Sequence, residues 1–207
     1  MTKIKICGIT NLEDGLECAE AGADTLGFVF ASSLRQVTPK KVVEICKKLP
    51  KAISKVGVFV NETPSTLLKI AGACQLDYVQ LHGSEDRGYL GQLTLPYVKV
   101  FRVKDESILQ EIANYRLSLF MLDTFSNGRL GGGGKNFDWE IAVQAKKFGR
   151  LILSGGLNPE NVRTALERVR PYGVDVCSGV ERAPGKKDIE KVKKFIQEVR
   201  TCDSLTD

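Results

Sequence analysis

The chain has 207 residues and 43% hydrophobic content, enough to bury a substantial core as one domain or at most two small ones. Its 30 Lys and Arg against 25 Asp and Glu leave a mild net charge of +5, spread over pairs such as Lys40-Lys41 and Lys193-Lys194 that suit solvated helix faces. There is no basic stripe interleaved with aromatics of the kind nucleic-acid binders use, and no apolar run near the roughly 20 residues that span a bilayer. Cys7, Cys18, Cys46, Cys74, Cys177 and Cys202 form no CxxC pair, so neither a zinc site nor a disulfide framework is expected. With no charged-then-apolar leader at Met1-Thr2-Lys3, the expected compartment is a reducing cytoplasm.

Residues 3–7 alternate polar and apolar, break at Gly8 and meet Asn11, a good helix N-cap, which predicts a strand carrying a thiol to a strand-to-helix turn. Alternation puts Lys3, Lys5 and Cys7 on one face and Ile4 and Ile6 on the other. A cation beside Cys7 favours thiolate, the reactive form. Taken alone, the stretch reads first as a small buried cysteine of no chemical role, as most lone cysteines are. A helix over 11–22, a strand over 24–30, a polar loop over 31–38 carrying Arg35, and a helix over 39–48 opened by Pro39 come next. The alternation then continues with strands at 54–60, 77–82, 97–103, 117–123, 150–154 and 174–177. Helices are expected at 64–73, 85–93, 106–115, 138–148, 158–169 and 187–200. Residues 201–207 read as a polar, frayed tail.

Eight apolar strands, each followed by a helix and with no shift in composition, predict an α/β chain folded over residues 1–200 as a single (β/α)8 TIM barrel. A doubly wound open sheet is the alternative, but its phosphate-binding turn would come early in the chain. In a barrel the site lies at the C-terminal strand ends. Those ends hold Cys7, Arg35, Asn61, His82, Arg102, Asp123, Ser154-Gly155-Gly156 and Asp175 with Cys177-Ser178-Gly179. Glycines after strands seven and eight, the first set followed by Asn158-Pro159 at a helix start, predict a phosphate site at Gly155, Gly156, Ser178 and Gly179. The Gly131-to-Gly134 run is not a P-loop, since Asn136 follows Lys135; it reads as a lid over substrate or as a linker. Asp123, ending an apolar strand, reads as a helix-cap acid or as a catalytic one, and barrel geometry favours an acid that works with Cys7 across the mouth. Asp175 is placed to orient substrate or to hold Lys5 by charge. His82, the only histidine, reads as a hydrogen-bonder that fixes a loop, and Arg35 by itself as a solvated loop residue.

Taken together, Lys5-Ile6-Cys7-Gly8-Ile9-Thr10, Gln80-Leu81-His82-Gly83, Leu122-Asp123-Thr124, Gly134-Lys135-Asn136-Phe137-Asp138-Trp139, Ser154-Gly155-Gly156-Leu157 and Val174-Asp175-Val176-Cys177-Ser178-Gly179-Val180-Glu181 resemble phosphoribosylanthranilate isomerase. The resemblance runs in order from residue 3 to about residue 200. It implies an Amadori rearrangement in tryptophan biosynthesis, with no metal or organic cofactor. Carried over, Asp123 is the general acid, Cys7 the general base, and Arg35 the holder of the anthranilate carboxylate. Gly155, Gly156, Ser178 and Gly179 bind phosphate, and His82 and Asp175 help bind substrate. The implied partner is a small molecule, an anthranilate-linked pentose phosphate, met by a monomer or homodimer. A dual-substrate sugar-phosphate isomerase would use two aspartates, and a binding-only barrel would need no acid/base pair. Two departures from the family pattern stand out: Cys177 where serine is usual, and Gly133 where serine or threonine is usual. Each removes a hydroxyl near the anion and implies slightly weaker phosphate binding with the same reaction.

Overall fold

The strand-and-helix alternation read from the sequence is realised in the computed structural model, which describes residues 1–123 and 139–205. The expectations for the glycine run at 131–134 and for the Asp138 helix start lie outside the described residues. β1 (Lys3–Ile6), β2 (Thr25–Val29), β3 (Ser54–Phe59), β4 (Tyr78–Leu81), β5 (Tyr97–Arg102), β6 (Leu119–Asp123), β7 (Arg150–Ser154) and β8 (Gly173–Val176) pair in that order into a closed parallel barrel. Between and after them lie α1 (Leu12–Glu20), α2 (Pro39–Cys46), α3 (Pro64–Cys74), α4 (Arg87–Leu90), α5 (Ile108–Tyr115), α6 (Trp139–Ala145), α7 (Val162–Val169) and α8 (Ile189–Ser204). The side chains of Asn11, Thr38, Thr63, Asp86 and Asp188 cap α1, α2, α3, α4 and α8, each accepting a first-turn N–H that would otherwise be orphaned.

The two faces of each strand serve different cores. Ile4, Ile6, Leu26, Phe28, Leu81, Phe101, Phe120, Leu122 and Leu153 join one cluster with the helices. Val98, Val100 and Met121 form a separate small cluster inside the barrel, flanked by Leu119 and Ile152. Fully buried side chains such as Phe28, Phe120 and Phe195 each stabilise the fold by roughly 1.5–3 kcal/mol relative to exposure. The inward parity also carries polar groups: Lys5, Gln80 and Asp175 are all buried.

Several boundaries differ from expectation. The helix expected over 85–93 shrinks to Arg87–Leu90, because Glu85 is withdrawn into a buried ion pair with Lys99 and Asp86 becomes the cap. The helix expected from Asn158 has its regular ladder from Val162; Asn158 Oδ1 instead closes a turn, accepting from the Glu160 and Asn161 N–H groups. The final helix starts at Ile189 and runs to Ser204, past the frayed tail expected from Thr201. Cys202 is buried there, and Asp203 accepts from the Thr2 N–H and hydroxyl at 2.9 and 2.7 Å. Where the last helix was expected to begin, β9 (Glu181–Ala183) and β10 (Lys186–Lys187) form a small antiparallel hairpin instead.

Candidate active site

Strand alternation decides what reaches the barrel mouth. Cys7, His82, Arg102, Asp123, Ser154 and Cys177 continue the inward parity of their strands and, with Arg35, Gly155, Gly156, Asp175 and Ser178, line one cavity of about 370 Å³. A second cavity, of about 250 Å³, opens at the opposite end of the barrel beside Lys3, Tyr78 and Tyr172; its walls bring together no thiol and acid.

Cys7 sits 6% exposed at the end of β1. Its neighbours on that face are the Lys5 ammonium and the Cys177 thiol. The hydrogen bond from Cys177 is the main influence holding the Cys7 thiol below its usual range; burial opposes it and Lys5 reinforces it. Lys5 Nζ donates to Asp175 Oδ1 at 2.6 Å, and the Ser154 hydroxyl donates to Asp175 Oδ2 at 2.9 Å. Burial would lower the Lys5 pKa, but Asp175 and Cys7 outweigh it and hold it above the ordinary lysine range. Asp175 thus holds Lys5 by charge, one of the two roles expected for it. Ser154 is the link with no sequence signal of its own beyond its place before two glycines.

On β6, Asp123 Oδ2 lies 3.1 Å from His82 Nε2, while His82 Nδ1 lies 3.5 Å from Gln80 Nε2. Gln80 is buried, and its Oε1 has no hydrogen-bond partner among the described residues. The histidine does fix neighbouring groups, as a hydrogen-bonder would, and what it touches is the candidate acid itself.

Arg35 is not a solvated loop residue. Its Nε donates to Glu181 Oε1 and Oε2 at 2.8 and 3.1 Å, and Nη2 donates to Oε2 at 2.6 Å. Lys187, 1% exposed, donates to the same carboxylate at 3.2 Å and to Cys177 O at 3.1 Å. Burial alone would raise the Glu181 pKa, and the two cations reverse that and hold it below the usual range. This leaves Nη1 as the edge of Arg35 not engaged by Glu181. Glu181 was the functional neighbour missing from the sequence reading, since its partner is 146 residues away.

Gly155 and Gly156 adopt φ of 94° and 66°, which lets the chain after β7 turn its backbone toward the cavity. Ser178 lines the cavity beside them. Gly179 does not: it packs beneath, where a Cβ would collide with the Leu157 carbonyl, so its lack of a side chain lets the two loops close together.

A sequence profile described as N-(5'phosphoribosyl)anthranilate (PRA) isomerase matches residues 4–198. The chain belongs to the phosphoribosylanthranilate isomerase family. N-(5'-phosphoribosyl)anthranilate isomerase of Geobacter sulfurreducens is 50% identical over 201 residues, spanning 97% of this chain and 99% of that protein. The crystal structure of phosphoribosyl anthranilate isomerase from Thermotoga maritima superposes with a TM-score of 0.90 at 45% identity, covering 97% of this chain and 100% of that one. Another solved phosphoribosyl anthranilate isomerase, in complex with reduced 1-(o-carboxyphenylamino)-1-deoxyribulose 5-phosphate, gives 0.88 at 42% identity over the same shares. The chain is thus an isomerase of the sugar-phosphate type, assigned with its family to tryptophan biosynthesis. Among the described residues, no helix is long and apolar enough to cross a membrane.

Proposed function

We propose that the chain converts N-(5-phosphoribosyl)anthranilate into 1-(2-carboxyphenylamino)-1-deoxyribulose 5-phosphate, with Asp123 as general acid and Cys7 as general base. The observation that carries this reading is the pairing, in one cavity, of a thiol biased toward thiolate with a carboxyl group held by a histidine. Protonated Asp123 donates to the ribose ring oxygen as the C1–O bond breaks, leaving an open-chain Schiff base. The Cys7 thiolate then takes the proton from C2. The electrons of that bond form C1=C2 and those of C=N return to nitrogen, giving an enolamine that tautomerises to product. An acid and a base each placed for its own step commonly contribute roughly 10²–10⁴-fold apiece.

Binding follows from the charges around the pair. Glu181 holds the Arg35 guanidinium so that its remaining edge meets the anthranilate carboxylate. Backbone N–H groups around Gly155, Gly156 and Ser178 take the phosphate, with Gly179 allowing the two loops to meet. Asp175 acts through Lys5 and Ser154 on the floor of the cavity. The test follows anthranilate fluorescence while phosphoribosylanthranilate is generated in place. Consumption that depends on the added chain is expected; silence from the wild-type protein would contradict the assignment.

A further inference from the structure

Two thiols meet at the barrel mouth. Cys7 and Cys177 each lie one residue beyond the last registered pair of β1 and β8, Ile6 with Val176, and the Cys7 N–H donates to Val176 O at 2.8 Å. Neighbouring strands run about 4.8 Å apart, inside the roughly 4.4–6.8 Å Cα separation that a disulfide spans. Both side chains keep the inward parity, both line the 370 Å³ cavity, and both are free thiols. The other four cysteines lie on helices α1, α2, α3 and α8, where burial pushes their thiols up.

We propose that Cys7 and Cys177 are a peroxide-reactive pair: hydrogen peroxide, small enough to enter the cavity, joins them in a disulfide, which stops turnover until a thiol reductant reopens it. The loss of turnover rests on the proposed role of Cys7 as base; the disulfide does not. In the first step the Cys7 sulfur attacks one peroxide oxygen. An S–O bond forms, the O–O bond breaks, and the departing hydroxide takes the thiol's proton to leave as water. In the second step the Cys177 sulfur attacks the Cys7 sulfenic sulfur. The S–S bond forms, the S–O bond breaks, and hydroxide leaves as water with the Cys177 proton. Two thiols and one peroxide thus become one disulfide and two waters.

The surroundings set this order. Cys7 is the sulfur held toward thiolate, so it reacts first. Cys177 is held protonated, chiefly by its hydrogen bond to Cys7 and by burial. Once Cys7 is a neutral sulfenic acid that first cause is gone; Lys187 and Arg35 favour the Cys177 thiolate, and Glu181 Oε1, 4.0 Å from the Cys177 sulfur, is placed to accept its proton. A sulfenic acid with no thiol beside it proceeds to sulfinic acid, which ordinary reductants do not reverse. Cys177 therefore guards Cys7 against permanent loss.

The experiment treats wild type and Cys177→Ser with hydrogen peroxide. It reads peptide masses, and turnover before and after dithiothreitol, each against that protein's own untreated rate. The expected wild-type result is a Cys7–Cys177 linked peptide pair, lost turnover, and recovery with dithiothreitol. In Cys177→Ser, Cys7 sulfinic acid and a loss that dithiothreitol does not repair are expected. Wild-type Cys7 oxidised without the linkage, or full recovery of the Cys177→Ser variant, would overturn the proposal. A linkage that forms while turnover persists would uphold the disulfide and overturn Cys7 as the base.

Discussion

Cys177 is the residue on which the reactivity of Cys7 turns. Its thiol lies beside the Cys7 sulfur and within 4.0 Å of Glu181 Oε1, and its influence is the largest lowering the Cys7 pKa, ahead of the Lys5 charge. A base works in its deprotonated form, so a lowered pKa extends activity toward acid. Cys177→Ala removes the donor, and the acid limb of kcat/KM should move to higher pH; a limb that stays in place would show that Lys5 alone sets the thiolate. The alternation of residues 3–7 made Lys5 visible as the neighbour of Cys7. It hid Cys177, because that pairing joins opposite ends of the chain and depends on barrel closure. Arg35 was hidden for the same reason: Glu181 reaches it from a hairpin that no turn motif announced.

Among the elements, the β4–α4 connection is built around a buried charge. Lys99 Nζ donates to Glu85 Oε2 at 2.9 Å and to Gly83 O at 2.6 Å, and Glu85 also accepts from the Asn61 and Gly83 N–H groups. These bonds outweigh burial and hold the Glu85 pKa below 4.5. Its stabilising contribution is therefore present above the ordinary carboxylate range and is lost as pH falls through the lower folded value. Lys99→Met leaves the Glu85 charge buried without its cation and should cost roughly 3–5 kcal/mol at neutral pH, read as a lower denaturant midpoint. The deficit against wild type should shrink in acid, where Glu85 is protonated in both proteins; a constant deficit would contradict this account. The same withdrawal of Glu85 explains why α4 is shorter than its apolar spacing implied. Helix periodicity reports which face is apolar, and it is silent on an acid drawn inward by a lysine from the next strand.

For the molecule as a whole, alternation of strands and helices was enough to read the barrel, and the placement of barrel sites at the C-terminal strand ends was enough to name many of the residues that line the cavity. What stayed hidden were contacts that exist only once the ring closes. One such set lies on the face opposite the cavity. Arg200 donates to Thr2 O at 2.7 Å and to Asp24 Oδ2 at 2.9 Å, while Asp203 holds Thr2, fastening α8 to β1 and to the turn before β2. Asp203→Ala should cost about 1.5–3 kcal/mol, the usual worth of hydrogen bonds to a charged group. That corresponds to a Tm lower by roughly 3–12 °C for a domain of this size, with KM unchanged. A changed KM with an unchanged Tm would mean that the latch serves the site and not the barrel.

If Cys7 and Asp123 do the chemistry while other groups bind, replacing either one separates binding from turnover. Binding of reduced 1-(o-carboxyphenylamino)-1-deoxyribulose 5-phosphate and turnover by anthranilate fluorescence would be measured for wild type, Cys7→Ser and Asp123→Asn. Near-wild-type binding is expected in all three, with turnover lost by roughly 10²-fold or more in each variant. Turnover that survives in either variant would place that proton transfer on another residue.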